Sequence, residues 1–140
     1  MRTTRVYSQL ATTAIAPQVA TNNTALVSSV IDTANATEVT FYINNGTLAD
    51  TDATFTVLVE DDDASGFGTG AAVADEYLVP VESSASYTFA EDAKVRTIAY
   101  TGPKRYVRLT ITPANNTGNA PISAICILSG LRTQPAAINS

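Results

Sequence analysis

The sequence predicts an all-β domain, a two-sheet antiparallel sandwich or jelly roll of about eight short strands. Three observations support this fold class. Apolar and polar residues alternate along much of the chain, and no window of about a dozen residues keeps the i, i+3, i+4 spacing of an amphipathic helix. Clusters of Gly, Pro, Asn and Asp separate the alternating segments, as turn residues do. The 140 residues fit one domain with a single core.

Residues 1–24 differ from the rest of the chain. Their apolar residues are sparse and Pro17 interrupts them, so we predict an extended N-terminal arm here and no core strand. Arms of this kind often gain order when they lie on a partner. The sandwich domain is predicted to span residues 25–132, and residues 133–140 are predicted to form a loose C-terminal tail.

Three segments show the alternation of half-buried strands. Because successive side chains of a strand point to opposite sides, the large apolar residues of each segment define its inward face. The predicted inward residues are Val39, Phe41 and Ile43, then Phe55, Val57 and Val59, and finally Val107, Leu109 and Ile111. Further strands are predicted within residues 25–32, 76–81, 86–89 and 94–101, the last of them followed by a Gly102-Pro103 turn.

The last predicted strand, residues 122–128, is apolar on both of its faces. This pattern is typical of a central strand or of a strand that another surface covers, and a partner is one possible cover. The single cysteine, Cys126, lies in this run. We therefore predict that Cys126 is a buried small apolar side chain rather than a reactive thiol.

Charges are segregated along the chain. All 13 acidic residues lie from Asp32 to Asp92, whereas no Lys or Arg lies between Arg5 and Lys94. We favour an interpretation in which acidic strands pair with later basic strands inside one sheet. The alternative is that the two halves meet opposite charges on neighbouring subunits. The net charge of −5 argues against nucleic acid and anionic membrane as partners.

The composition argues against catalysis. The chain contains no histidine, which excludes imidazole as a base, a proton shuttle or a metal ligand. The composition does not exclude a catalytic pair of carboxylates of the kind that glycoside hydrolases use, because acidic residues are plentiful. We expect a non-enzymatic protein without a cofactor. No segment approaches the roughly 20 apolar residues of a bilayer-spanning helix, so we expect a soluble protein made in a cytoplasm.

An acidic segment gives a weak candidate for a metal site. Asp61, Asp63 and Ser65, followed by Gly66, match the beginning of a calcium-binding loop, which needs oxygen ligands two residues apart and a glycine at the sharp turn. The match then fails, because Ala72 stands where a bidentate Glu is needed. We predict a solvated acidic turn between strands and no bound metal.

The order of these segments resembles the capsid cement, or decoration, proteins of tailed phages, of the jelly-roll type found in a short-tailed Bordetella phage. The likeness rests on a Thr-rich arm, the segments VIDTANATEVTFYINNGTL, EDDDASGFG and TGPKRYVRLTIT, and a final apolar strand. The resemblance implies a protein on the outer capsid surface of a virion that clamps neighbouring major capsid proteins. It also implies a homodimer, with a trimer as the alternative, and no catalytic residues.

The arm carries the residues that we predict, from composition alone, to contact the capsid. They are Arg2, Arg5, Val6, Tyr7 and Leu10. An alternative function is a carbohydrate- or receptor-binding β-sandwich module of a virion, which would carry an exposed cluster of Tyr with Asp or Asn. A tail-tube, head-completion or head-fibre protein is a further alternative, and an enzyme is the least favoured one.

Overall fold

The alternation of apolar and polar residues builds two antiparallel β-sheets in the computed structural model, which describes residues 5–133. The predicted all-β sandwich is confirmed. The strands are β1 (Gln9–Ala20), β2 (Leu26–Val27), β3 (Ile31–Asp32), β4 (Glu38–Asn45), β5 (Thr54–Asp62), β6 (Ala71–Ala72), β7 (Leu78–Val79), β8 (Tyr87–Thr88), β9 (Val95–Tyr100), β10 (Tyr106–Ala114) and β11 (Ala120–Ser129). The described helices are α1 (Glu82–Ala85) and one-turn 3-10 helices at Val6–Ser8, Asp75–Tyr77 and Phe89–Glu91.

The strands divide between two sheets. Sheet A has the order β1-β11-β4-β9-β7, and sheet B has the order β2-β10-β5-β6, with β3 also paired to β10 and β8 to β5. Strand β11 lies between β1 and β4, and β4 lies between β11 and β9. Both strands are therefore hydrogen-bonded along their two edges.

The core lies between the inner faces of the two sheets. The inward residues predicted for β4, β5 and β10 are all buried, with no more than 4% of any of them exposed. Phe55 of β5 stacks on Tyr87 of β8, with ring centroids 4.9 Å apart. Each large apolar side chain buried in this way stabilises the fold by roughly 1.5–3 kcal/mol. The predicted orientation of these three strands is confirmed.

Most of the segment that was predicted to be an arm forms strand β1. It pairs with β11 from Gln9 opposite Ser129 to Ala20 opposite Ala120, and it buries Ile15 in the core. The prediction of an extended arm is wrong for this segment. Two register shifts lie between Thr13 and Gln18, and they break the alternation on which the prediction depended. Pro17 lies within the second shift and at a sheet edge, where a missing N–H is tolerated.

The predicted N-terminal arm and the predicted C-terminal tail lie partly outside the described residues. Residues 1–4 of the arm and residues 134–140 of the tail are not described, so the prediction of a loose C-terminal tail is left as it stands. Within the described part, the sandwich begins at β1 rather than at residue 25.

Two predicted strands are shorter than expected. Within residues 25–32, the Ser28 hydroxyl accepts a 2.9 Å hydrogen bond from the backbone N–H of Leu109, and this separates β2 from β3. Within residues 76–81, a 3-10 helix precedes β7. Pro80 follows β7 directly, and because it has no N–H it ends the pairing with β9.

Four ion pairs among the described residues join late basic residues to acidic ones. Arg108 of β10 lies directly opposite Glu60 of β5 and pairs with it at 3.0 Å. The other three pairs are Arg96 with Glu91, Lys104 with Asp61 and Arg105 with Asp32. The Arg108–Glu60 pair is the kind of cross-strand pair within one sheet that the favoured interpretation expects.

Candidate binding face

The outward side chains of sheet A form one continuous surface, which we call face A. Along β4 the buried residues alternate with the outward ones, and strand register places Tyr42 opposite Ile125 of β11 and opposite Thr97 of β9. Register and burial assign the following residues to face A: Ala11, Thr13, Val19, Thr40, Tyr42, Asn44, Val79, Val95, Thr97, Ala99, Ser123, Ile125 and Ile127. Glu38, the first residue of β4, lies at its margin.

Face A is partly apolar and nearly uncharged. Apart from Glu38 at its margin, none of the residues that register places on it carries a formal charge, and the four ion pairs lie elsewhere. Tyr42 is 37% exposed and Ile125 44%. Val19, Val79 and Val95 are exposed as well. A contiguous exposed patch of this kind marks a binding surface more often than a plain solvated face.

Two depressions lie on face A. The first has a volume of about 350 Å³ and is lined by Gln9, Tyr42, Ile125 and Ile127. The second has a volume of about 410 Å³. The second depression is lined by Pro17, Gln18, Val19, Asn44, Gly46, Pro121, Ile122 and Ser123. Both depressions are shallow and open to solvent.

Several polar groups in these depressions have hydrogen-bonding capacity to spare. The Tyr42 hydroxyl and the Asn44 side-chain amide make no hydrogen bond with any residue from 5 to 133. The Ser123 hydroxyl donates only a long bond, 3.4 Å, to the backbone carbonyl of Asn44. Gln9 reaches the Ser129 hydroxyl at 3.3 Å. A ligand on face A would therefore meet an exposed ring and unpaired donors and acceptors.

The weak metal candidates are not brought together around a common point. Asp61 is buried, accepts a 2.8 Å hydrogen bond from the Tyr100 hydroxyl and forms an ion pair with Lys104 at 3.2 Å. Asp63 and Ser65 are exposed in the turn that follows. Within residues 5–133 no group of three or more His, Cys, Asp or Glu side chains is arranged to hold a metal ion.

Hydrogen bonds to the Asp62 carboxylate tie the acidic turn together. Asp62 is buried and accepts bonds from the backbone N–H of Ala64 and from both the N–H and the hydroxyl of Thr69. Burial acts to raise the pKa of Asp62, but these hydrogen bonds outweigh it and hold the pKa below its ordinary value.

The described residues among those predicted to contact a capsid lie just before β1 or at its beginning. Arg2 is outside the described residues. Arg5, Val6 and Tyr7 are exposed, Val6 and Tyr7 within a 3-10 helix. Leu10 packs partly against the core and so has less surface to offer a partner. Arg5, Val6 and Tyr7 line neither depression of face A, although they lie close in sequence to Gln9, which lines the first depression.

Two further features carry no chemistry of their own. Cys126 is fully buried on the inner side of β11, and burial raises the pKa of its thiol to about 12, so it stays protonated.

A polar cleft of about 530 Å³ includes Lys104, Arg105 and Arg132. Two of these three cations are already neutralised by Asp61 and Asp32, which leaves little positive charge for an anionic ligand.

No helix in the described part of the chain is both long and apolar enough to cross a membrane.

Comparison by sequence gives no relatives: no protein-family model matches the chain, and no curated protein matches it. Comparison by structure gives many similar folds.

Three of these structures illustrate the likeness. The PBSX exported protein XepA has a TM-score of 0.57 at 10% identity, with 99% of this chain and 43% of that structure covered. The CBM22-1–GH10 modules of Clostridium thermocellum xylanase 10B, complexed with xylohexaose, have a TM-score of 0.52 at 14% identity, with 95% and 28% covered. A cellulose-binding domain of Cellulomonas fimi β-1,4-glucanase C has a TM-score of 0.44 at 13% identity, with 90% and 81% covered.

The chain thus spans less than half the length of the first two similar structures. At these sequence identities the similarity shows a shared fold and nothing beyond the fold. The chain shares its β-sandwich with a phage-related exported protein and with carbohydrate-binding modules.

Proposed function

We propose that this chain is a non-enzymatic binding module of a virion, which binds a carbohydrate or a cell-surface receptor through face A. The observation that carries the proposal is the exposed ring of Tyr42, which lies in an uncharged depression beside the unpaired amide of Asn44. Such a module is expected to carry an exposed cluster of Tyr with Asp or Asn, and Tyr42 and Asn44, both exposed on β4, supply one Tyr and one Asn of this kind.

The chemistry of face A suits a neutral, hydroxyl-rich ligand. A sugar ring has an apolar side that packs on an aromatic ring, and its hydroxyls pair with amides and hydroxyls nearby. Tyr42 supplies the ring, and Asn44 and Ser123 supply the partners. Because β4 and β11 are paired on both edges, these side chains project from a rigid surface, and little ordering is needed on binding.

The fold comparisons support the proposal without carrying it. The xylanase modules that share this fold were observed with xylohexaose, and XepA is an exported protein of PBSX. Both likenesses extend over nearly the whole of this chain. The resemblance of segment order to phage cement proteins is consistent with a place in a virion.

The proposal is tested by affinity electrophoresis and calorimetry against neutral polysaccharides, and by binding to intact host cells. We expect Tyr42→Ala to weaken binding by at least about tenfold, the effect of losing one stacked ring. Tyr77→Ala is the matched control, since Tyr77 is 36% exposed but lies in a 3-10 helix rather than on face A. Retention of full binding by Tyr42→Ala would exclude face A as the site.

A second candidate is the capsid cement function. It is favoured by the aliphatic part of face A, where Val19, Val79, Val95 and Ile125 are exposed, because the buried centre of a protein interface is depleted of charged residues. In this proposal the partner is the major capsid protein and the protein lies on the outer surface of the capsid. Many weak contacts on a repeated lattice then stabilise the assembled shell.

The cement function is tested by co-sedimentation with capsids from which small proteins have been stripped. We expect saturable binding at a fixed ratio to the coat protein and a higher disruption temperature of the shell. Absence of binding to any expanded shell would remove this candidate and leave the carbohydrate or receptor module.

A further inference from the structure

The two depressions of face A are neighbours along the same pair of strands. Tyr42 and Ile125 of the first depression are directly opposite each other in the ladder, and so are Asn44 and Ser123 of the second. Tyr42 and Asn44 are two residues apart on β4, which corresponds to about 7 Å along the strand. A compact ligand fills one depression, whereas an extended ligand parallel to the strands reaches both.

The two depressions differ in chemistry. The first is formed by the Tyr42 ring and the side chains of Ile125 and Ile127, with Gln9 as its amide. The second brings together the amides of Gln18 and Asn44 and the hydroxyl of Ser123. A ligand that occupies both needs an apolar surface at one end and hydrogen-bonding groups about 7 Å further on.

The two depressions lie one after the other along the strands. Each also extends from β4 across β11 to β1, where Gln9 lines the first depression and Gln18 and Val19 line the second. Thr97, the neighbour of Tyr42 on β9, lines neither depression. A ligand that occupies both depressions at once therefore lies along β4 and β11 and does not extend over β9.

We propose that the ligand of face A is a linear neutral glycan, which lies parallel to β4 and β11 and occupies both depressions at once. One sugar ring packs on Tyr42, and a following unit forms hydrogen bonds with Asn44 and Ser123. This inference rests on the proposed carbohydrate-binding function and specifies its ligand class and orientation. An uncharged ligand matches the lining of the two depressions, which includes no charged residue.

The test is a length series. Xylo-oligosaccharides and cello-oligosaccharides, from the disaccharide to the hexasaccharide, are titrated into the purified full chain by calorimetry. We expect affinity to rise with length until both depressions are filled and then to level off. We expect Tyr42→Ala to weaken binding at every length by at least about tenfold, because it removes the ring on which every ligand in the series packs.

Asn44→Ala separates the two depressions. We expect it to weaken binding of the hexasaccharide about fivefold, the effect of losing one neutral hydrogen bond, and to leave the disaccharide unchanged. Thr97→Ala is the control, since Thr97 lies on face A beside Tyr42 but outside both depressions. Circular dichroism and thermal unfolding check that each variant is folded.

The outcomes distinguish this inference from the proposal on which it rests. Affinity that does not depend on length, or an Asn44→Ala effect equal for short and long ligands, would overturn the orientation along the strands while leaving a glycan site at Tyr42. Wild-type protein that binds none of these oligosaccharides would overturn the glycan inference, and the binding assay with intact host cells would then decide whether the receptor-binding part of the proposed function stands.

Discussion

The hydroxyl of Tyr100 on β9 donates a 2.8 Å hydrogen bond to the carboxylate of Asp61 on β5, so one buried bond joins sheet A to sheet B. Lys104 binds the same carboxylate at 3.2 Å, and its backbone N–H and carbonyl both contact the Tyr100 hydroxyl. The Gly102-Pro103 turn is thereby fastened to both sheets. Burial, followed by the bond to Asp61, raises the pKa of Tyr100, so its hydroxyl stays a donor over the physiological range.

Tyr100→Phe is expected to destabilise the protein by about 1–3 kcal/mol, because it removes the hydroxyl and leaves the buried Asp61 carboxylate without that donor. The measurement is chemical denaturation at neutral pH. Tyr106→Phe is the control, since the Tyr106 hydroxyl makes no hydrogen bond with any described residue. Equal stability of the two variants would mean that the Tyr100 bond adds nothing net to the fold.

Strand β1 gives a second prediction. Ile15 is 2% exposed, and Ile15→Ala is expected to lower the free energy of unfolding by about 2–4 kcal/mol, the usual result of emptying a buried isoleucine site. Val19→Ala on the same strand is the matched control, since Val19 is 53% exposed, and surface changes of this kind stay within about 0.5 kcal/mol. If residues 9–20 were a free arm in solution, both variants would unfold like the wild type.

How far sequence leads to structure depends on regularity within each strand. Val107, Leu109 and Ile111 could be assigned to the core because β10 keeps its alternation without interruption. The alternation of β1 is lost at its register shifts, so the sequence predicts an arm where the structure has a strand with the buried residue Ile15.

Face A could not be predicted for a different reason. Tyr42 and Ile125 are distant in sequence, and only strand order and register bring them together. The one signal in the sequence was the apolar run of residues 122–128, apolar on both faces, for which a partner was a possible cover. The capsid-contact prediction, by contrast, depended on composition at the N-terminus, and the exposure of Val6 and Tyr7 does not test it.

The acidic turn gives a prediction for pH. The pKa of Asp62 is lowered in the folded chain, so its carboxylate stabilises the fold above the ordinary Asp pKa of 3.8. That stabilisation is lost as the pH falls through the lowered folded pKa. We expect Asp62→Asn to be less stable than wild type at neutral pH, with a difference that shrinks as the solution is acidified. The measurement is urea unfolding over a pH series.

Asp63→Asn is the control for this series, because Asp63 is exposed in the same turn. Its stability should follow that of the wild type at each pH. A difference between Asp62→Asn and wild type that stayed constant with pH would show that the charge of Asp62 is not what holds the turn.

Val79 distinguishes the two candidate functions of face A. It is 61% exposed on β7, two strands away from β4 in the order of sheet A, and it lines neither depression. A stable protein interface covers about 800 Å² on each partner, so a capsid subunit on face A would extend over Val79, whereas a glycan along β4 and β11 would not reach it. Val79→Asp should therefore weaken co-sedimentation with capsids by about tenfold or more, the effect of an unpaired charge in an interface, and leave oligosaccharide titrations unchanged. Loss of glycan binding with capsid binding retained would contradict two expectations: that a capsid subunit covers Val79, and that a glycan does not reach it.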